Sequence, residues 1–575
     1  MEIMNYSKVS KKLNKYSQSY IFIGVVFLVF IGLYASPDWQ PSGEAYTKWK
    51  GAAMLREYAE FPATSFPLFY TLYLQIFLYF DFPYSVQIEH IVTTLIAFLS
   101  INYFLKQHVS SFSALLFSLA WGLLLWEFES GGRLLGISFM LLYLGSNSSF
   151  YSKGLFPAFL LVACLFEPAY IFVFGLHLFF NLYKGVTSTS TSLSFDYKQL
   201  LVLLITISIF VFSASNQLKK PYNNAFLLEY PWSPIELKGS FNVSALHITT
   251  SRLVIKDTDP KDLYKQDWFF TYPIYFGDSK NLFEAIIKYP KVFLNISLEN
   301  LYSARHIPFR LLFGRDLLEL MQPKVLRIII FLSVYVFLAI SLFYILFGAY
   351  RTKHIRFYFL ALGSIPIILA LSITNVFFRY SMVLFPLFLY VMANFNIYFS
   401  NYIGIKWISK NKVAIRASSV FTAISVIILM YSIKSINLDY TNNPYYLKGA
   451  DFDYSFTSSG KGILTAIDND TRILTPNEGW VKSFSNANFD NIFSLFILPP
   501  FLDDSNKVNS FINGLDQIWI PKYLRVEHAS ISTQEYLRYK LHLLPFENSY
   551  REYGFTKVEV PKYGSIYYKK LRVLE

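Results

Sequence analysis

The chain has 575 residues, of which 54% are hydrophobic and 19% aromatic, and its mean hydropathy is +0.36. Charged residues make up 15% of it, whereas soluble domains carry about 25%, so the composition argues against a soluble globular protein. The net charge of +13 does not indicate nucleic acid, because the basic residues cluster beside apolar runs. A polytopic protein surrounded by membrane lipids is therefore predicted.

Apolar runs along the chain predict about eleven transmembrane helices, since a bilayer core of about 30 Å needs roughly 20 apolar residues per helix. The predicted spans are 20–36, 85–105, 112–128, 133–146, 154–167, 168–183, 199–216, 325–350, 357–374, 376–399 and 413–434. Glu167 and Pro168 lie inside one long apolar stretch. A charge followed by a helix breaker predicts two helices that meet at the membrane boundary.

Lysine and arginine in the short loops predict the orientation. With the N-terminus in the cytoplasm, an odd number of spans places the C-terminus outside, in a multi-pass protein of the cell (inner) membrane. The outer loops are then 37–84 and 217–322. Run 66–80 lies between two spans of fixed orientation, so it is predicted to be a helix in the outer interface, with its aromatic rings at headgroup depth.

The chain divides into a membrane domain, 1–436, and a C-terminal domain, 437–575. In the second, "RILTPN" and "DQIWIP" are strand-like, and "STQEYLRYKLHLLPF" is helix-like. The closing "FTKVEVPKYGSIYYKKL" predicts two strands around a turn. The fold class is thus an all-α polytopic membrane protein with a small extracytoplasmic α/β C-terminal domain.

Cysteine and histidine contribute no recognisable site. Cys164 is the single cysteine, which excludes a disulfide framework and a thiolate metal cluster. The eight histidines have no ligand spacing, and the sequence contains no metal-hydrolase signature and no nucleophile elbow. No cofactor is assigned from motifs, and a divalent cation is the one candidate left open.

Carboxylates and basic residues at the predicted outer boundary remain as candidates for chemistry. A carboxylate there can accept the proton of an attacking hydroxyl group, while arginines hold a departing phosphate. Such a set suits the transfer of a group from a lipid phosphate. The residues concerned are Asp38, Glu44, Glu127, Glu129, Arg133, Arg305, His306, Arg310 and Arg379.

Three segments resemble the GT-C superfamily of membrane glycosyltransferases, in the branch of protein mannosyltransferases and aminoarabinose transferases. "GEAYTKWKGAAML" and "SFPLFYTLYLQIFLYF" are similar to its first outer loop, through Glu44, Tyr46, Ala52 and Ala53 and then Pro67, Leu68 and Tyr70. "ESGGRLLG" resembles its second outer turn, and "FFRYSMVLFP" its late Arg-Tyr helix. The usual Asp-Glu pair is missing, and Phe66 replaces one proline.

The resemblance implies transfer of a sugar from a polyprenyl-phosphate donor to an extracytoplasmic lipid, glycan or protein acceptor. Glu44 would be the base, and Asp38 or Glu129 the second acid. Arg379 would anchor the phosphate. The other substrate-binding residues would be Tyr380, Arg133, Tyr46, Arg305 and His306.

Other interpretations of the same residues stay open. Glu44 fits a solvated loop residue, and Asp38 fits a cap of the interfacial segment. Arg379 fits an arginine that reaches lipid headgroups, and Arg305 a surface charge. A polysaccharide polymerase or ligase would instead need essential arginines in the long loop, and a transporter would carry lipid-linked sugars without chemistry.

Overall fold

The computed structural model describes a helical region and a small sheet domain. The described residues are 19–34, 68–80, 84–126, 131–145, 155–187, 282–305, 307–313, 355–373, 381–398, 470–476, 491–495, 505–525, 538–560 and 564–569, with a few isolated positions between them.

Twelve α-helices are described in the helical region, and most of them are long apolar segments. They are α1 (Tyr20–Tyr34), α2 (Leu68–Leu74), α3 (Tyr84–Lys106), α4 (Ser111–Trp126), α5 (Gly131–Gly145), α6 (Leu155–Phe166), α7 (Ile171–Thr187), α8 (Leu282–Lys288), α9 (Pro290–Ala304), α10 (Ile307–Phe313), α11 (Ile355–Ile373) and α12 (Phe385–Tyr398). Short 3₁₀ turns follow α2, α6 and residue 381, at Phe77–Tyr79, Pro168–Tyr170 and Met382–Leu384.

Eight of the eleven predicted spans coincide with described helices, namely α1, α3 to α7, α11 and α12. Among the described residues, Gln87–Lys106 is the one segment long and apolar enough to cross a membrane, and seven helices of 10–17 residues are apolar but shorter. The predicted break at Glu167 is confirmed, because α6 ends at Phe166 and a 3₁₀ turn begins at Pro168. Predicted spans 199–216, 325–350 and 413–434 lie outside the described residues, apart from isolated positions.

A shared apolar core joins α3 to α7 with α10, α11 and α12. The early part of α5 adjoins the early part of α3, since Gly131 lies beside Glu89, and the end of α5 adjoins Phe104 near the end of α3. Gly136 adjoins Glu167, just past the end of α6. The first turns of α3 and α5 and the last turn of α6 therefore form one end of the bundle, which we call the Glu89 end.

The Glu89 end is covered by α2, within the run predicted to lie in the membrane interface. Phe69 of α2 packs edge-on against Phe166 of α6, with ring centroids 5.2 Å apart. Tyr70 and Leu74 are buried, whereas Ile76 and Tyr79 are exposed to 59% and 79%. The segment thus buries one side on the bundle and presents apolar and aromatic side chains on the other, which suits headgroup depth.

The C-terminal domain contains a five-stranded sheet. Its strands are β1 (Ile473–Thr475), β2 (Ile492–Ser494), β3 (Gln517–Pro521), β4 (Thr556–Val560) and β5 (Gly564–Tyr568), in the order β2-β1-β3-β5-β4. The first three pair in parallel, and β3, β5 and β4 pair antiparallel. The predicted strands at 472–477 and 516–521 and the closing pair are confirmed; β2 and helix α13 (Ser505–Asn513) were not predicted.

The core of this domain lies where α13 and the helical segment 538–549 pack against the sheet. The predicted helix over 532–546 is confirmed from residue 538 onward, as a π-turn (Tyr539–Leu543) followed by α14 (Leu544–Ser549). Ile512, Ile518 and Phe546 are members of the core cluster, each exposed by 1% or less. All five residues of β3 are buried, so this strand is covered on both faces.

Candidate functional site

Most of the predicted site residues lie outside the described residues. This applies to Asp38, Glu44, Tyr46, Glu129, His306, Arg379 and Tyr380. Arg133, in the first turn of α5, and Arg305, directly after α9, are described. The structure therefore describes the helix ends that adjoin the predicted catalytic loops.

A buried carboxylate, Glu89, lies in the second turn of α3 with 3% of its surface exposed. Thr93, one turn later, donates its hydroxyl to Glu89 Oε1 at 2.7 Å. Tyr70 of α2 donates to the same oxygen at 3.2 Å. A buried carboxylate needs such donors to offset its lost hydration, and the contact from Tyr70 joins α2 to α3.

The start of α5 closes around this carboxylate. A side chain at Gly131 would place its Cβ 2.5 Å from Tyr70 Oη and 2.6 Å from Glu89 Oε1. Only glycine allows so close an approach of the backbone. The first backbone N–H groups of a helix favour a nearby negative charge, so the Glu89 carboxylate is also placed favourably at the N-terminus of α5.

Burial and charge raise the pKa of the neighbouring tyrosines, whose hydroxyls are protonated at neutral pH even without a shift. Burial, and then the negative charge of Glu89, hold the pKa of Tyr70 well above its usual range. Burial also raises the pKa of Tyr73, whose hydroxyl lies 3.0 Å from Thr93 Oγ1. Both hydroxyls therefore remain hydrogen-bond donors at neutral pH.

Two residues of the first predicted outer loop, Trp49 and Ala52, pack against α2 and its neighbours. Trp49 and Ala52 are buried in the same apolar cluster as Tyr70 and Phe166. Gln75 donates its amide to the Ala52 carbonyl oxygen at 2.7 Å. Ala52 is one of the small residues that carry the family resemblance, and its burial beside α2 gives a physical reason for a small side chain there.

Arg56 fixes the other side of this loop. Its Nη1 donates to the carbonyl oxygen of Leu78 at 2.7 Å, and its guanidinium lies 4.6 Å from the centre of the Tyr79 ring. Ala52 and Arg56 are thus both attached to the residues that directly follow α2 at the Glu89 end.

Arg133 is held by an ion pair at the same end. Its Nε donates to Glu167 Oε2 at 3.0 Å, with the two side chains 17% and 13% exposed. Gly136, one turn further along α5, lets the backbone pass the side chain of Glu167, which a Cβ would strike. Gly131 and Gly136 of this helix therefore allow close packing beside Glu89 and Glu167, respectively.

Arg305 lies elsewhere, directly after α9 and exposed to solvent. Its guanidinium lies 3.4 Å from the centre of the Tyr302 ring, and Nη1 donates to the Tyr302 carbonyl oxygen at 3.1 Å. Among the residues that the structure describes, both of these contacts lie within the last turn of α9 and not at the Glu89 end.

Sequence reasoning missed Glu89. A signal was available, because "IEHIVTT" places a glutamate inside an apolar helix with a threonine four residues later, on the same helical face. Within the described ranges, no group of three or more His, Cys, Asp or Glu side chains is arranged to hold a metal ion. The hydrogen bonds of Glu89 and the Arg133–Glu167 ion pair can hold the first outer loop and the second outer turn in place.

Comparisons with known proteins gave one structural likeness. No family model matches the chain, and no curated protein matches it. Among solved structures, it is similar to the archaeal oligosaccharyltransferase AglB from Archaeoglobus fulgidus in complex with an inhibitory peptide and a dolichol-phosphate. The TM-score is 0.41 at 11% identity, over 97% of this chain and 75% of that chain. A likeness of this extent assigns no activity to this chain.

Proposed function

We propose that the protein is an integral membrane glycosyltransferase of the GT-C type with an extracytoplasmic active site. It transfers a sugar from a polyprenyl-phosphate donor to a lipid, glycan or protein acceptor. The proposal depends on the sequence resemblance and on one structural observation, the anchoring of the Trp49–Arg56 segment beside buried Glu89 and the Arg133–Glu167 pair.

The anchored segment connects the proposed base to the Glu89 end. Glu44 precedes buried Trp49 by five residues in the sequence. The second outer turn, with Glu129, precedes Gly131 by two residues, and Gly131 contacts the Glu89 cluster. We therefore expect both loops with candidate acids to lie at this end of the bundle, where they could face the two substrates.

The roles follow from chemistry at a membrane boundary. Glu44 accepts the proton of the acceptor hydroxyl, with Asp38 or Glu129 as the second acid. Arg379 anchors the donor phosphate through charge-assisted hydrogen bonds, and Arg133, Tyr380, Tyr46, Arg305 and His306 complete the predicted substrate-binding set. A divalent cation at the carboxylates stays open.

Glu89 acts in this proposal as a positioning residue. It is 3% exposed and already accepts two hydrogen bonds from Tyr70 and Thr93, so it is poorly placed to take a proton from a substrate. Its carboxylate instead joins α2, α3 and the start of α5, which carry the first loop and the second turn.

Substitution of Glu44 tests the mechanism. Glu44→Gln cannot accept a proton, so turnover should fall by about 10²–10⁴-fold. Arg379→Ala should chiefly weaken donor binding, because it removes a phosphate contact. Donor binding and sugar transfer are measured separately on a panel of polyprenyl-phosphate hexoses and pentoses, with each variant purified at equal folded yield.

Asp38→Asn and Glu129→Gln test which residue is the second acid. Full transfer by Glu44→Gln would pass the role of base to one of these two acids. Full transfer by all three acid variants would refute the mechanism and favour a polymerase with essential loop arginines. Absence of both binding and transfer in the unmodified protein, for every donor tried, would count against the glycosyltransferase itself.

A further inference from the structure

We propose that helix α9 lies in the lipid bilayer and that its exposed apolar face contacts the acyl chains of bilayer phospholipids. The sequence assigned residues 290–304 to an extracytoplasmic loop, so this face is a surface that composition alone did not indicate. The inference concerns where the helix lies and changes the predicted path of loop 217–322, and its test involves no sugar transfer.

The two sides of α9 differ in what covers them. Ile296 and Asn300 are buried, and the helix packs against α11. On the other side, Leu294, Leu298 and Leu301 are 57%, 55% and 43% exposed, and Asn295 beside them is also exposed. Their spacing of four and three residues places them in one stripe along the helix.

The stripe continues an apolar surface of the neighbouring helix. Among the described residues of α11, Leu362 and Leu369 are 52% and 55% exposed. Ile365 and Ile368 are also exposed, although less so. In a domain that meets water, exposed helical positions are polar, as Asn506 and Lys507 of α13 show. Two adjacent helices with exposed leucine and isoleucine indicate a shared apolar solvent.

Basic residues at both ends of the stripe favour phospholipids as this solvent. Lys291 and Arg305 are exposed and lie on the same face as Leu298 by their three- and four-residue spacing. They are 14 residues apart, or about 21 Å along a helix, and their long side chains extend this reach. The pattern complements two layers of phosphate groups separated by a hydrocarbon core of about 30 Å.

A fluorescent probe on single cysteines tests the proposal. The background is Cys164→Ala, because the native cysteine is buried, and Leu298→Cys carries the probe. The full chain is reconstituted into vesicles of phosphatidylcholine with brominated acyl chains. The vesicles contain no polyprenyl phosphate, so quenching reports bilayer lipid alone. The probe at residue 298 should lose most of its emission, and aqueous iodide should leave it unchanged.

Two reference positions make each outcome decisive. Leu369→Cys on α11 should respond as residue 298 does, and Asn506→Cys on α13 should respond to iodide alone. Quenching of residue 298 by iodide alone would overturn the proposal and place α9 in water. Protection from both quenchers would also overturn it, because another protein surface would then cover the stripe. If residue 369 also fails to respond to brominated lipid, the membrane assignment itself is wrong.

Discussion

The helical region and the C-terminal domain differ in the exposure of their apolar residues. Several are exposed in the helices, whereas the sheet domain buries most of them. In the helices, Ile21, Phe179 and Leu369 are 82%, 69% and 55% exposed. In the sheet domain, Ile512 and Ile518 are each exposed by 1% or less, and the exposed residues of α13 include asparagine, lysine and serine. The two regions therefore differ in the residues that they expose, although both bury an apolar core.

The two regions also differ in what pairs with a carboxylate that is buried (Glu89) or partly buried (Glu547). Glu89 of the helical region accepts hydrogen bonds from the hydroxyl groups of Tyr70 and Thr93. Glu547 of the sheet domain pairs with Arg525, 2.6 Å from Oε1 to Nη2, and accepts hydrogen bonds from Tyr539 and Tyr567. Glu89 thus connects helices at one end of a bundle, whereas Glu547 connects a helix to a sheet.

The largest expected effect is on the core of the sheet domain. Residues 440–575 should fold when expressed alone, and Ile518→Ala should lower their free energy of unfolding by about 2–5 kcal/mol, because it leaves a cavity in a packed core. Urea denaturation measures this change. Asn506→Ala, at an exposed position of α13, should remain within about 0.5 kcal/mol. An insoluble or unfolded fragment would show that this domain depends on the membrane region.

Glycine substitutions compare close and open packing within the helical region. Gly131→Ala would press its Cβ against Tyr70 and Glu89 and should cost about 1–3 kcal/mol through overpacking. Gly175→Ala on α7 has no atom within 4 Å of the added Cβ and should leave stability unchanged or raise it. Thermal unfolding in detergent separates the two. Equal melting temperatures would contradict the close packing of the Glu89 end.

A double-mutant cycle separates two roles of Arg133. Arg133→Met should lower both the melting temperature and donor binding, because it leaves Glu167 without its ion-pair partner and removes the predicted phosphate contact. Adding Glu167→Gln should restore stability, with a coupling of about 0.5–3 kcal/mol, but not donor binding. If the double variant recovers both properties, Arg133 serves packing alone and does not contact the donor.

The smallest effect concerns the pH dependence of the sheet domain. Burial alone would raise the pKa of Glu547, but hydrogen bonds from Arg525, Tyr567 and Tyr539 outweigh it and lower the pKa. A carboxyl whose pKa is lower in the folded state stabilises the fold above its unfolded value of about 4.3. This contribution is lost as the pH falls through the folded pKa.

Urea denaturation of the sheet domain between about pH 5 and about pH 3 measures this loss. Glu547→Gln should show a shallower decline in the free energy of unfolding than the unmodified domain. Glu552→Gln, at an exposed position, is the control and should follow the unmodified domain. A parallel decline in all three proteins would contradict the contribution of Glu547.

The sequence determined the helices and most strands, because each depends on a local pattern. Apolar runs of sufficient length predicted eight of the described helices, and Glu167 followed by Pro168 predicted a break that the structure confirms. Alternating residues predicted β3 and the closing hairpin. Strand β2 was not predicted, because its residues belong to the apolar run "IFSLFIL", and a short apolar run does not distinguish a strand from a helix.

Only the tertiary structure decided which polar groups meet. Glu89 and Tyr70 are 19 residues apart, and Arg133 and Glu167 are 34 apart, so no local pattern joins them. The same holds for α9, one side of which is buried while it packs against α11 and α8. Long-range packing selects such contacts by shape and burial, which a sequence read by its periodicity does not contain.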